Sequence, residues 1–156
     1  MNNWFECKVS YDKTEDGGMP KKVTEPYLMD ALSFTEAEAR IIEELRPFVS
    51  GEFTVVDIKR VRLTELFFNP NGDRYYKVKV SMDSLDENTE KKTTVQMMAQ
   101  ASTLREAIDV VDAGMKGSLA GYEITSVVET ALVDVFPFSP ETKVTRAVTP
   151  ESTAQE

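Results

Sequence analysis

Ser33-Phe34-Thr35-Glu36 and Thr103-Leu104-Arg105-Glu106 are two copies of one helix-start signal. In each copy a hydroxyl residue stands three places before a glutamate, just ahead of an apolar helical pattern. The hydroxyl accepts from an unpaired amide of the first turn, and the glutamate reaches back to the cap amide. The two capping boxes lie about 70 residues apart and the sequence around them also repeats, which predicts one supersecondary unit used twice.

A predicted hairpin precedes each capping box. The apolar face of its first strand is formed by Phe5, Cys7, Val9 and Tyr11, which alternate with polar residues. The run 75–83 aligns with 4–12 and shares a Lys-Val-Ser-x-Asp pattern with it. Residues 23–32 and 92–101 supply the returning strands, so each unit begins with two antiparallel strands.

A helix follows each capping box, and a long strand-like element follows each helix. The matching apolar helix positions are Phe34 and Leu104, Ala37 and Ala107, Ile41 and Val111, and Leu45 and Met115. The elements 53–68 and 122–136 align in the same way. In the first of them the apolar alternation changes phase near Lys59-Arg60. This predicts a bulge or bend there, giving one bent strand or two strands in succession.

This order of elements predicts an α+β fold of tandem duplicated β-β-α-β units. We expect the units to form a pseudo-twofold antiparallel sheet with two helices on one face. Residues 1–138 are predicted to be a single domain made of two repeats, 4–68 and 75–138. Residues 139–156 are rich in Pro, Thr, Ser and Glu, and we expect a flexible tail there.

Composition narrows the class of protein. The chain has 156 residues, of which 41% are hydrophobic, and a formal net charge of -9. No apolar run approaches the ~20 residues of a membrane span, and the first residues lack a signal-peptide pattern. With Cys7 as the single cysteine, these features predict a cytoplasmic protein without a membrane partner. The absence of histidine removes the usual general base and metal ligand and favours a protein that is not an enzyme.

The best functional candidate is a surface that combines aromatic rings with cations. Strand alternation places Trp4, Lys8, Tyr75, Lys77 and Lys79 on the side opposite the core, where we expect solvent exposure. The full candidate set is Trp4, Lys8, Lys59, Arg60, Arg62, Arg74, Tyr75, Lys77 and Lys79. Single-stranded DNA or RNA is bound by stacking of bases on such rings and by pairing of phosphates with cations. The competing interpretation is an ordinary solvated sheet face.

Two other functions remain open at this point. The same face or an exposed strand edge would suit a protein-interaction or inhibitor module that binds a host protein or forms a homodimer. Asp57-Ile58-Lys59 has the acidic-x-Lys form of a metal-dependent nuclease triplet, although alternating charges on a solvated strand give the same pattern.

We expect no catalytic residues, no metal and no cofactor. Cys7 aligns with Val78, which favours a small buried hydrophobe over a nucleophile.

Four segments carry a resemblance to a known family: 4–9, 22–28, 30–40 and 134–137. Over about residues 4–138 the chain resembles a family of small proteins from gut Bacteroidota and their phages, defined as a numbered domain of unknown function. The resemblance implies a phage or mobile-element role and supplies no catalytic residues. If each long element splits into two strands, the middle of the chain has the order β-β-β-β-α. That order is similar to the repeat of the PUR and Whirly single-strand-binding proteins, shifted in its starting point.

Overall fold

The computed structural model describes residues 3–14, 17–84 and 91–137. The described elements are β1 (Trp4–Thr14), β2 (Pro20–Asp30), α1 (Phe34–Leu45), β3 (Phe53–Val61), β4 (Glu65–Phe67), β5 (Arg74–Asp83), β6 (Lys92–Ala101), α2 (Leu104–Gly114), β7 (Tyr122–Glu129) and β8 (Asp134–Phe136). The α+β class is therefore confirmed. The predicted tail, 139–156, lies outside the described residues.

The strands form two sheets rather than the single sheet that we predicted. The first sheet has the order β3-β1-β2-β8 and the second has the corresponding order β7-β5-β6-β4. Neighbouring strands are antiparallel, except that β8 runs parallel to β2 and β4 runs parallel to β6. One helix packs on each sheet, α1 against β1, β2 and β3, and α2 mainly against β6 and β7.

The last short strand of each repeat belongs to the sheet of the other repeat. Within the described residues, the contacts divide the chain into unit 1, with residues 3–62 and 131–137, and unit 2, with residues 63–130. The chain therefore passes from one unit to the other after β3 and again after β7. As a result, the sequence repeats 4–68 and 75–138 do not coincide with the compact units.

A break in each long element makes this exchange possible. The elements 53–68 and 122–136 each form two strands in succession, which is one of the two predicted outcomes. At the first break the Thr64 amide donates to the Gln96 carbonyl at 2.8 Å, which leads the chain onto β6. At the second break the Val133 amide donates to the Pro26 carbonyl at 2.9 Å, which leads the chain onto β2.

The helix-facing cores follow the predicted alternation. In unit 1 the core residues are Phe5, Cys7, Val9, Tyr27, Met29, Ala31, Ala37, Ile41 and Leu45. Unit 2 repeats the arrangement around Val78, Val80, Ala107, Val111 and Met115. Burying a side chain such as that of Ile41, which is 0% exposed, is worth about 1.5–3 kcal/mol. Burial of these apolar stripes therefore holds each helix on its sheet.

Both capping boxes form, with one difference from the prediction. Ser33 Oγ accepts from the Glu36 amide at 3.1 Å, and Thr103 Oγ1 accepts from the Glu106 amide at 3.0 Å. The glutamate side chains accept from the residue before the cap rather than from the cap itself. Glu36 binds the Leu32 amide at 2.5 Å, and Glu106 binds the amide of Ser102 at 2.6 Å.

One bulge occurs in β3 and another in β7, but neither lies at Lys59-Arg60 as we predicted. The β1–β3 register shifts between Lys8 and Val9, and Val56 is the extra residue opposite them. In unit 2 the register shifts between Lys79 and Val80. The extra residue there is Thr125, whose hydroxyl donates to the Lys79 carbonyl at 3.3 Å. The predicted position was wrong because we expected only apolar residues on the helix-facing side of the strand. Arg60 lies on that side, so the alternation continues through Lys59-Arg60 without a bulge.

Candidate functional site

The two aromatic rings of the predicted nucleic-acid surface are buried. Trp4 and Tyr75 lie on the sheet faces opposite the helices, as alternation requires, but each is only 3% exposed. Leu28 on the same face of unit 1 is 1% exposed, and Met98 on the same face of unit 2 is 2% exposed. The expectation of exposed rings is therefore wrong, because alternation assigns a face but does not determine what covers it.

The unit 1 cations lie on two different faces. Lys8 is half-buried and stands opposite Asp57 in the β1–β3 register. Lys59 is exposed, with Nζ 3.9 Å from a carboxylate oxygen of Glu6. Arg60 points to the other side of the sheet, where its guanidinium lies 5.1 Å from the Phe5 ring centroid and 5.9 Å from that of Phe34.

Arg62 follows the end of β3 and is exposed. It is the last residue of unit 1 before the chain passes into unit 2. The predicted cations of unit 1 therefore do not form a single continuous row.

Carboxylates also accompany the cations of unit 2. Arg74 Nε lies 3.9 Å from both Asp73 and Glu129 carboxylate oxygens. A hydrogen bond with Tyr76 and the charge of Glu129 raise the pKa of Arg74. Beside buried Tyr75 on the face opposite α2 stand Lys77, which is half-buried, and Lys79, which is exposed. The nine predicted residues are thus divided between two units.

The three residues of the predicted nuclease triplet lie on two faces of the sheet. Asp57 and Lys59 share the face opposite α1, and Ile58 between them packs against the unit 1 core. Within residues 3–14, 17–84 and 91–137 no three Asp, Glu or Cys side chains come together as a metal site. The second acidic ligand that the triplet requires is therefore not identified in the described part of the chain.

Glu25 is the centre of a polar cluster that we did not predict from the sequence. One of its carboxylate oxygens accepts from the hydroxyls of Tyr11 at 2.8 Å and Tyr27 at 3.2 Å, and Lys13 Nζ lies 3.7 Å from the other. Burial, followed by the Glu25 charge and hydrogen bond, raises the pKa of Tyr27, and burial with the Glu25 hydrogen bond raises that of Tyr11. Both phenols therefore remain neutral donors at physiological pH.

Cys7 lies in the unit 1 core and is 0% exposed. Burial, with a smaller contribution from the charge of Glu6, raises the pKa of its thiol to about 12. The thiolate is the nucleophilic form of cysteine, so this side chain is inert at neutral pH, which agrees with its predicted packing role.

An open groove runs along unit 1 between α1 and the edge strand β3. Two adjoining clefts of about 450 and 380 Å³ share Glu38 and Val55 as lining residues. We call their combined surface the α1–β3 groove. Its apolar walls are formed by Phe34, Ile42, Val49, Phe53, Val55 and Val56. Phe34 is 48% exposed and Val56 is 51% exposed, so solvent reaches apolar side chains at this seam.

The corresponding seam of unit 2 is bridged by a hydrogen bond. Tyr122 donates its hydroxyl to Asp112 Oδ1 at 2.8 Å, which links β7 to α2 and raises the pKa of Tyr122. The equivalent positions in unit 1 are Phe53 and Ile42, which have no polar group to form such a bridge. This difference between the repeats is visible in the aligned sequences, from which the groove could have been predicted.

A family model described as a domain of unknown function (DUF4494) matches residues 3–138. The chain belongs to the DUF4494 family. The match covers both repeats, including the strands that the two units exchange. No curated protein matches the chain. Neither helix in the described part of the chain is long and apolar enough to cross a membrane.

Proposed function

We propose that this DUF4494 protein is a non-enzymatic accessory module that binds a partner polypeptide in the α1–β3 groove. The observation that carries the proposal is the difference between the two seams. A hydrogen bond from Tyr122 to Asp112 bridges the seam of unit 2, whereas unit 1 has Phe53 and Ile42 beside an open cleft. Exposed apolar surface next to an edge strand is a recurrent site for binding an added polypeptide.

Binding of single-stranded DNA or RNA is the alternative that the sequence favoured. With Trp4 and Tyr75 buried, it would depend on exposed cations such as Lys79 rather than on base stacking. A phage or mobile-element origin also belongs to the proposal, since an accessory module that captures a host protein suits such an element. The metal-dependent nuclease remains a separate prediction, tested by Mg²⁺-dependent cleavage that Asp57→Ala abolishes.

Site-specific photocrosslinking tests the proposed groove. A photoreactive phenylalanine analogue replaces Val56 at the bulge of β3, and a matched control carries it at Thr125, the bulge residue of β7. We expect a discrete protein adduct in a lysate of the source organism from position 56 and not from position 125. The adduct is identified by mass spectrometry, and the purified partner is then titrated against the full chain.

Val56→Asp and Thr125→Asp extend the test to affinity. Both positions are exposed, so neither change is expected to alter folding stability by more than about 0.5 kcal/mol. A charge within the groove should weaken partner binding by about tenfold or more, whereas the control should bind as the native chain does. Equal adducts from positions 56 and 125 would contradict the proposal. If nuclease treatment of the lysate before irradiation prevents the adducts from forming, the result would favour the nucleic-acid alternative.

A further inference from the structure

We propose that the α1–β3 groove takes an extended polypeptide segment in which cationic and apolar side chains alternate. This inference rests on the proposed function and adds the chemistry of the partner. It follows from the length of the groove, its unpaired strand edge and the charges around it.

The strand edge determines the conformation of the partner. β3 is the first strand in the order β3-β1-β2-β8, so its outer edge has no strand partner within the described residues. An edge strand presents amide and carbonyl groups that an added strand can pair with. Residues 53–58 line the groove along β3 and span roughly 17 Å at about 3.3 Å per residue. An extended partner segment of about six residues matches this length.

The apolar walls require apolar side chains on one face of that segment. Phe53 and Val55 come from β3, and Ile42 comes from α1, with all three half-buried against the unit 1 core. Phe34 and Val56 complete the walls and are about half exposed. Side chains of an extended segment alternate between two faces, so every second residue of the partner would enter the groove.

The charges around the groove select cations for the remaining positions. Its lining residues include the exposed carboxylates of Glu38 and Glu52, against the guanidinium of Arg46. Asp57 also borders the groove, but its side chain lies on the face opposite α1. Neither Glu38 nor Glu52 has an ion-pair partner in the part of the chain that the structure describes. Lysine or arginine side chains of the bound segment would form ion pairs with these carboxylates. The same carboxylates would repel an acidic segment.

Fluorescence anisotropy with defined peptides tests the inference on the full chain. The probe is a fluorescein-labelled hexapeptide of alternating lysine and valine, compared with glutamate–valine and lysine–serine peptides of equal length. We expect saturable binding of the lysine–valine peptide and binding at least about tenfold weaker for the other two. Methylation of alternate backbone nitrogens should abolish binding, because those amides can no longer pair with β3.

Paired variants assign the charge selection to the groove. Glu38→Gln combined with Glu52→Gln should weaken the lysine–valine peptide by roughly two- to fivefold per carboxylate and reduce the salt dependence of binding. The matched control is Asp109→Asn combined with Glu123→Gln, which removes two exposed carboxylates from α2 and β7. We expect the control variant to bind as the native chain does.

The inference is overturned if the glutamate–valine peptide binds as well as the lysine–valine peptide, or if the groove and control variants weaken binding equally. It is also overturned if the partner crosslinked at position 56 proves to be a second copy of this chain. In each of these cases a specific adduct at position 56 would still support a protein-binding groove. Equal adducts from positions 56 and 125 would instead contradict the proposed function itself.

Discussion

Gly114 is the last residue of α2, and the ring of Phe67 from the exchanged strand β4 lies directly against it. A Cβ at position 114 would meet ring atoms Cε1, Cδ1 and Cζ of Phe67 at 2.4, 2.6 and 2.8 Å. Ordinary contacts between carbon atoms are about 3.5–4.0 Å, so the ring would have to move by roughly 1 Å. We predict that Gly114→Ala destabilises the protein, although alanine usually stabilises a helix relative to glycine.

Two opposing terms set the expected magnitude. Alanine in a helical conformation gains about 0.5–1 kcal/mol over glycine. Forcing an extra methyl group into packed surroundings costs about 1–3 kcal/mol. Phe67 is half-buried and belongs to a strand of three residues, so part of the clash is relieved by movement. The net expectation is a loss of about 1–2 kcal/mol in the free energy of unfolding.

A double-mutant cycle followed by urea denaturation isolates the contact. Without the ring, in a Phe67→Ala background, Gly114→Ala should be neutral or stabilising. Gly117→Ala is the matched control: its φ is +88° and no atom lies within 4 Å of its Cβ position. That change should cost about 1 kcal/mol with or without the ring, because the cost comes from the backbone conformation. If Gly114→Ala stabilises the native chain, or its cost persists without the ring, the packing of β4 on α2 is not as described.

Two further predictions concern the caps and the tyrosine cluster. Ser33→Ala and Thr103→Ala should each lower the free energy of unfolding by about 1 kcal/mol, measured by urea denaturation; unchanged midpoints would mean that the caps do not form. The raised pKa values of Tyr11 and Tyr27 mean that the folded chain retains protons that the unfolded chain releases above about pH 10. Stability should therefore be unaffected at neutral pH and fall as pH rises beyond 10, with a smaller fall in Glu25→Gln; a urea midpoint that stays constant to pH 11 would contradict this.

Local features of the fold could be predicted because their causes are local in the chain. The capping boxes, the apolar helix stripes and the β6 bounds of Lys92–Ala101 depend on side chains a few residues apart. The repeat itself also follows from sequence, since it needs only the same pattern twice. The same local logic placed Trp4 and Tyr75 on the correct sheet faces.

The sequence did not predict which sheet each short strand joins. β4 and β8 have only three residues each, so their own pattern is too short to select a partner. Their parallel pairing with β6 and β2 depends on where the chain is led after Arg62 and Thr130. Strand pairing between segments distant in sequence is decided by the whole folded unit and is not encoded in either segment alone.

The candidate site shows the same division between local and tertiary causes. The sequence by itself determined that a polar pair in one repeat, Tyr122 and Asp112, is replaced by Phe53 and Ile42 in the other. Only the tertiary structure decided that these positions face each other across a helix–strand seam, and that the rings of Trp4 and Tyr75 are buried. Periodicity fixes the direction of a side chain, whereas exposure depends on which other segments pack over it.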